Sequence, residues 1–180
     1  MEISTPELQA DCSRCEALCC FALAFVQGPE FPVDKPNGEP CPNLDEKNGC
    51  RIYTERDVQG YAGCAKYDCL GAGQRLTQEI LAGRSWREEP TLMCVVVEAL
   101  PAMREVHELL GLLKGAAALP LNAEDRAKLD DLYGELSPGD GWTPESLSQF
   151  RAGSLSSRVH SFLQSLRPYV EQARPSQAVR

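Results

Sequence analysis

Nine cysteines stand in this 180-residue chain, and four of them fall within Cys12-Ser-Arg-Cys15-Glu-Ala-Leu-Cys19-Cys20. Cys41, Cys50, Cys64 and Cys69 follow, and Cys94 stands apart. A deprotonated thiol is a soft ligand, suited to Zn2+ or to the iron of an Fe-S cluster. Close pairs such as Cys12/Cys15 and Cys64-x4-Cys69 supply two sulfurs from one short stretch, and partners from a distant loop can close the shell. Eight thiolates suffice for two four-sulfur sites, or for one cluster with thiols to spare. Four thiolates leave net negative charge on a zinc ion or a cubane, and Arg14, Lys47, Arg51, Arg56 and Lys66 are candidates to offset it.

Composition narrows the chemistry. The chain carries 18 Lys and Arg against 26 Asp and Glu, a net charge of -8 with no basic run, which argues against a nucleic-acid phosphate site. The opening Met-Glu-Ile-Ser-Thr-Pro-Glu lacks the basic and apolar regions of a secretory leader. The most apolar stretch, 92–113, is interrupted by Glu98, Arg104, Glu105 and Glu108, so no membrane span is expected. The expected location is cytoplasmic, where thiols stay reduced, and there a dense, odd-numbered cysteine set points to metal rather than to disulfides.

The elements that must position these sulfurs are uneven. Thr5 and Pro6 offer an N-cap and first turn for a helix running towards the cysteines. If 12–20 is helical, Cys12, Cys15 and Cys19 share one face and Cys20 points about 100° away, towards another iron of one cluster or towards a separate site. From Gly28 to Gly49, five prolines and three glycines exclude a long regular element, leaving a loop whose available pins are Cys41 and Cys50. The segment 50–56 reads as a short strand or a helix start. A boundary near residue 75 gives a cysteine-cluster module, 1–75, and a helical domain, 76–180. In the latter, 74–83 forms a helix closed by Gly83, and 91–114 carries an apolar stripe at 92, 96, 99, 103, 106, 110 and 113. Pro101 is expected to kink or restart that helix. Asn122 caps a helix with Leu129, Leu132, Tyr133 and Leu136, and Thr143-Pro144 opens another. A last helix covers 154–173 with Leu155, Val159, Phe162, Leu163, Leu166 and Val170 inward, before a frayed tail at 175–180. The fold class is mainly α: a loop-rich cysteine module, with a little strand at most, followed by a bundle-like helical domain.

The ordered pattern Cys12-x2-Cys15-x3-Cys19-Cys20, Gly38-Glu-Pro-Cys41-Pro-x-Leu44, Gly49-Cys50-Arg-Ile-Tyr53-x2-Arg56 and Cys64-x2-Tyr67-x-Cys69 resembles the YkgJ-type cysteine-cluster family. That family's domain is described as chelating zinc or iron, and a related cluster occurs in flagellin lysine methylases. The resemblance covers about 12–70. It implies that Cys12, Cys15, Cys19, Cys20, Cys41, Cys50, Cys64 and Cys69 hold the metal, as an Fe-S cluster (4Fe-4S first) or as zinc. The chain departs from the family where Asp57 follows Arg56, where Ala65 follows Cys64, and in a longer gap between Arg56 and Cys64. Tyr67-Asp-Cys-Leu-Gly-Ala-Gly-Gln74 further resembles a domain found ahead of pentapeptide repeats, although no such repeat is present here.

Plainer readings suit other residues. Cys94, among Leu92, Met93 and Val95–Val97, reads as a buried, inert thiol. His107 and His160 have no partner at ligand spacing, Gly71-Ala-Gly73 is a turn rather than a dinucleotide loop, and Glu88-Glu89 and Asp130-Asp131 are solvated faces. The first functional expectation is a metal or Fe-S binding module whose helical part packs on it or recruits a protein partner. Its rivals are a cluster-dependent enzyme of the methylase-associated type, a thiol redox switch and a metal-storage protein. No S-adenosylmethionine loop, nucleophile–base pair or radical-type cysteine motif supports the enzyme.

Overall fold

The computed structural model describes residues 6–173. It is mainly helical, and among the described residues no β-strand forms. The strand content allowed by the sequence reduces to three isolated antiparallel bridges, Phe25 with Lys35, Gly28 with Phe31 and Leu44 with Cys50. The helices are α1 (Leu18–Ala22), α2 (Ala62–Lys66), α3 (Ala72–Glu79), α4 (Thr91–Ala116), α5 (Ala123–Leu136), α6 (Pro144–Ala152), α7 (Leu155–Ser165) and α8 (Arg167–Ala173), with 3-10 turns at Cys12–Arg14 and Tyr53–Glu55. Two compact units divide after Arg104, one spanning Glu7–Arg104 and the other running from Glu105 onward.

The division falls well beyond residue 75 because 72–89 is bonded to the cysteine segment. The Gln74 side chain accepts from the Asp11 backbone N–H and donates to the Gln9 carbonyl at 3.0 Å. The Glu16 backbone N–H donates to Thr77 Oγ1 at 3.1 Å, and the Trp86 indole N–H donates to the Glu16 carbonyl at 2.7 Å. Trp86 also stacks on Phe21, with ring centroids 4.2 Å apart and planes 17° from parallel. Leu18, Phe21, Leu76 and Leu81 complete this core. Gly71 makes the entry into α3 with φ +83°, and a Cβ there would collide with the Glu7 carbonyl oxygen.

The long loop is better packed than its composition suggests. Phe25 and Phe31 stack at 4.4 Å, and both meet Tyr61 edge-on. The loop therefore has a small aromatic core of its own beside the cysteines, where the sequence pointed to cysteine pins alone.

In the second unit, Val106, Leu110 and Leu113 continue a buried stripe that begins with Leu92, Val96, Ala99 and Met103 in the first. Helix α4 runs unbroken through Pro101 rather than restarting there. Asn122 caps α5 by accepting from the Asp125 N–H at 2.8 Å. Thr143 and Ser146 form a reciprocal capping box on α6, with Pro144 in its first turn. The expected helix 154–173 is instead two, since Pro168 offers no N–H to carry the ladder past Leu166. Its inward face holds Val159, Phe162 and Leu166, whereas Val170 is largely exposed. Similarly, α3 stops at Glu79, earlier than expected, and Gly83 (φ +77°) donates to the Thr77 carbonyl at 3.2 Å. The lead-in 6–11 is not helical. Its expected cap, Thr5, and the tail 175–180 lie outside the described residues. No helix among the described residues is long and apolar enough to cross a membrane.

Trp86 supplies both stacking and a hydrogen bond, and the two can be separated. Trp86→Ala is expected to cost about 3–5 kcal/mol in urea unfolding. Trp86→Phe, which keeps a ring but loses the N–H, should cost less, with about 1 kcal/mol assigned to the bond. Equal losses would show that the bond to Glu16 contributes little.

Candidate metal centre

The cysteine segment is bent rather than helical. Asp11 caps the 3-10 turn by accepting from the Ser13 N–H at 3.0 Å, and Cys15 then leaves it extended. Ala17 takes the left-handed conformation, φ 53° and ψ 37°, before α1 begins at Leu18. A single helix over 12–20 therefore does not form. The bonds that Thr77 and Trp86 make to the Glu16 backbone hold the chain out of helical register. Ala17 accepts a non-glycine cost for this left-handed turn.

The bent segment nonetheless leaves several thiols within electrostatic reach of one another. Charge on Cys19 is felt at the thiols of Cys12, Cys15, Cys41 and Cys64. Cys69 acts on Cys12 and Cys15, while Cys50 acts on Cys41 and Cys64. Cys20 bonds to the Cys19 thiol, and its carbonyl accepts from the Cys41 N–H at 2.9 Å. Cys12 and Cys15 thus feel Cys19 and Cys69, whereas Cys41 and Cys64 feel Cys19 and Cys50. All eight are free thiols within the Glu7–Arg104 unit. Among the described residues, no three Cys, His, Asp or Glu side chains converge to metal-ligating distances. The ninth cysteine, Cys94, is exposed on α4 rather than buried, since the helix turns Leu92 and Val96 inward instead.

Burial is the main cause raising Cys12, Cys15, Cys41 and Cys64. It is the largest cause raising the Cys15 thiol to about 12 and the Cys64 thiol to about 11, with neighbouring sulfurs adding to both. Cys12 is raised in the same way although the residue lies at the surface, because its sulfur sits in a crowded setting. The Cys19 thiol is raised first by its bond with Cys20 and then by burial.

Two cations stand against this cluster. Arg56 lowers both Cys12 and Cys64, donates to the Cys64 carbonyl at 3.3 Å, and lies over the Tyr53 ring at 4.1 Å. Lys35 is only 4% exposed, and its ammonium donates to the carbonyls of Phe21, Pro36 and Glu39 at 3.1, 3.0 and 2.7 Å. Burial lowers the Lys35 pKa, and Cys41, Cys20, Glu39 and Cys19 oppose that shift. Of the other expected cations, Arg14 and Lys66 are paired with Glu7 and Glu30, and Arg51 donates to the Leu44 carbonyl at 2.7 Å.

Sequence reasoning overlooked Lys35, Asn43 and Gly73 and gave Tyr67 no role. Gly73 lets α3 approach the sulfurs: a Cβ there would lie 2.8 Å from Cys15 Sγ and 3.8 Å from Cys69 Sγ. The Tyr67 hydroxyl and the Asn43 side-chain nitrogen are buried without a hydrogen-bond partner. Asn43 also donates its backbone N–H to Cys41 Sγ at 3.5 Å. The Gly71-Ala-Gly73-Gln74 step just past Cys69 was the available signal for Gly73. A lysine inside a proline-rich loop gave none for Lys35.

No protein-family model matches the chain, and no solved structure does. Among curated proteins it is similar to the uncharacterized protein YybG of Bacillus subtilis, with 34% identity over 130 residues. That match covers 70% of this chain and 47% of YybG, so the chain spans about half the length of this relative.

Two outcomes are expected. Gly73→Ala keeps the helical spectrum but forces the Cys15 sulfur aside; each unit by which its pKa then falls gives about tenfold more thiolate and faster alkylation at Cys15. In the reduced, metal-free protein, thiols that ionise near 9.0 when unfolded are held protonated by folding, to about 11 at Cys64 and about 12 at Cys15. Their contribution is thus fully present below pH 9 and lost as pH rises from there through 11 to 12. The urea midpoint should fall across that window, and less steeply in Cys15→Ser.

Proposed function

We propose that the Glu7–Arg104 unit is a metal-binding module that holds an Fe-S cluster or zinc through Cys12, Cys15, Cys19, Cys20, Cys41, Cys50, Cys64 and Cys69. The observation that carries this reading is the mutual electrostatic reach of free thiols drawn from three separate stretches, 12–20, 41–50 and 64–69.

Several features fit such a group. The donor set is all sulfur, matched to soft metals. The buried Tyr67 and Asn43 donors stand next to cysteine segments, where negative sulfur would accept from them. Gly73 leaves a close approach beside Cys15 and Cys69 that any side chain would fill. Arg56 supplies positive charge at Cys12 and Cys64, and Lys35 at Cys41. Bound metal would add cross-links between loops whose regular pairing is confined to three isolated bridges. Structural zinc contributes about 10–16 kcal/mol in small peptides, enough to order such loops. Because the Cys12, Cys15, Cys19, Cys41 and Cys64 thiols are pushed up, uptake through them would release protons and weaken towards low pH.

The role proposed is to hold structure or an electron, within the cytoplasm, and the resemblance to the YkgJ-type family supports it. The chemistry and partners of the whole protein, including a protein partner for the helices α4–α8, are proposals of the same kind.

Anaerobic purification with metal, acid-labile sulfide and visible spectra tests the reading. Iron with sulfide and a colour that bleaches on reduction, or stoichiometric zinc without colour, is the expected result. Chelation should then raise hydrogen exchange across 41–69. Protein that takes up no metal, with its thiols paired, would sink the proposal.

A further inference from the structure

We propose that Tyr67 is a positioning residue of this centre, its phenolic O–H donating a hydrogen bond to metal-bound sulfur at the Cys19/Cys69 end. This inference rests on the metal-binding reading. Tyr67 closes α2, its backbone N–H donating to the Gly63 carbonyl at 3.0 Å, and the chain then extends through Asp68 to Cys69. Its hydroxyl is buried and has no hydrogen-bond partner. Buried phenols normally find one, because an unsatisfied buried O–H carries the full cost of leaving water.

The charges that act on this hydroxyl are first Cys19 and Cys69, then Arg104 and the Asp68 carboxylate. Arg104 does not take the role of acceptor, since a guanidinium only donates. Its Nε donates to the Asp68 carbonyl at 3.2 Å, and its guanidinium lies 5.7 Å from the Tyr67 ring centroid. The Asp68 carboxylate instead accepts from the Leu70 backbone N–H at 2.8 Å, which leaves the Cys19 and Cys69 sulfurs as the acceptors the O–H can turn to once they are deprotonated. A neutral thiol accepts weakly, whereas a deprotonated sulfur accepts well. Outer hydrogen bonds of this kind fix ligand orientation and tune the centre. Tyr53 is a poor candidate for the same task at this end, being half exposed, stacked on Arg56 and close to Cys12.

The arrangement predicts effects of opposite sign in the two forms of the protein, which a packing role would not produce. Tyr67→Phe and the unaltered protein are compared reduced and metal-free, and again after anaerobic loading with Zn2+ or Co2+. Protein isolated with iron and sulfide is compared on that cluster instead. In the metal-free form, Tyr67→Phe removes an unsatisfied group, so Tm should hold or rise by about 2–4 °C. In the loaded form the same change removes a hydrogen bond. Metal stoichiometry should then be unchanged, chelator competition should show about 10–100-fold weaker binding, and the sulfur-to-cobalt absorption band should shift. On an iron–sulfur cluster the midpoint potential should fall. Identical affinity, absorption and potential would overturn the assignment alone, as would an equal loss of Tm in both forms, which would mean that the phenol is bonded in either. Uptake of no metal by the unaltered protein would overturn this inference together with the reading beneath it.

Discussion

The cysteine unit depends on the backbone of Glu16. Its N–H and carbonyl are held by Thr77 and Trp86, and its carboxylate accepts from Asn48 and from Ser85 at 3.0 Å. One residue thus ties the first cysteine segment, the loop before Cys50, α3 and the turn after it. With both backbone groups directed to tertiary partners, the chain cannot run a helical ladder through this point. Ala17 consequently reverses through the left-handed region, α1 begins at Leu18, and Cys19 in its first turn acts electrostatically on Cys12 and Cys15. The bent course of the 12–20 segment follows from a satisfied hydrogen-bond set rather than from helical periodicity.

Crowding so many weak acids into one unit creates an electrostatic problem, which protonation relieves. Isolated buried thiolates would be costly, and the neutral thiol is the form burial favours. Deprotonating several of them together requires compensating positive charge close by, of which Arg56 and Lys35 can offset only part. A multivalent cation meets that requirement directly, which is why the all-sulfur set and the scarcity of cations point the same way.

Much of the helical unit was readable from the sequence. The stripe from Leu92 to Leu113, the Asn122 cap and the Thr143–Pro144 start follow from periodicity and capping chemistry, which are local rules. The eight cysteines between 12 and 69 were legible as a pattern because their spacing is visible in the chain, whereas which of their sulfurs act on one another was not. What the sequence did not carry were consequences of tertiary contact. Nothing local marks Ala17 as left-handed, α3 as part of the cysteine unit, or Phe25, Phe31 and Tyr61 as one cluster. Cys94 was misplaced because its apolar neighbours suggested burial, whereas a helix exposes one face even of an apolar run.

Lys35 shows how a loop can place charge without flexibility. An ammonium has three donors, and here each goes to a backbone carbonyl from a different residue, Phe21, Pro36 and Glu39. No donor is left to bind sulfur, so Lys35 acts on Cys41 and Cys20 through its field alone. The same three bonds fasten the loop to α1 and fix the distance at which that field acts. An arginine would not be equivalent, since its planar fork could not be satisfied by three carbonyls converging on one point. The proline-rich stretch that offers few backbone donors of its own is thereby closed by a side chain, and closing it sets Cys41 against Cys20.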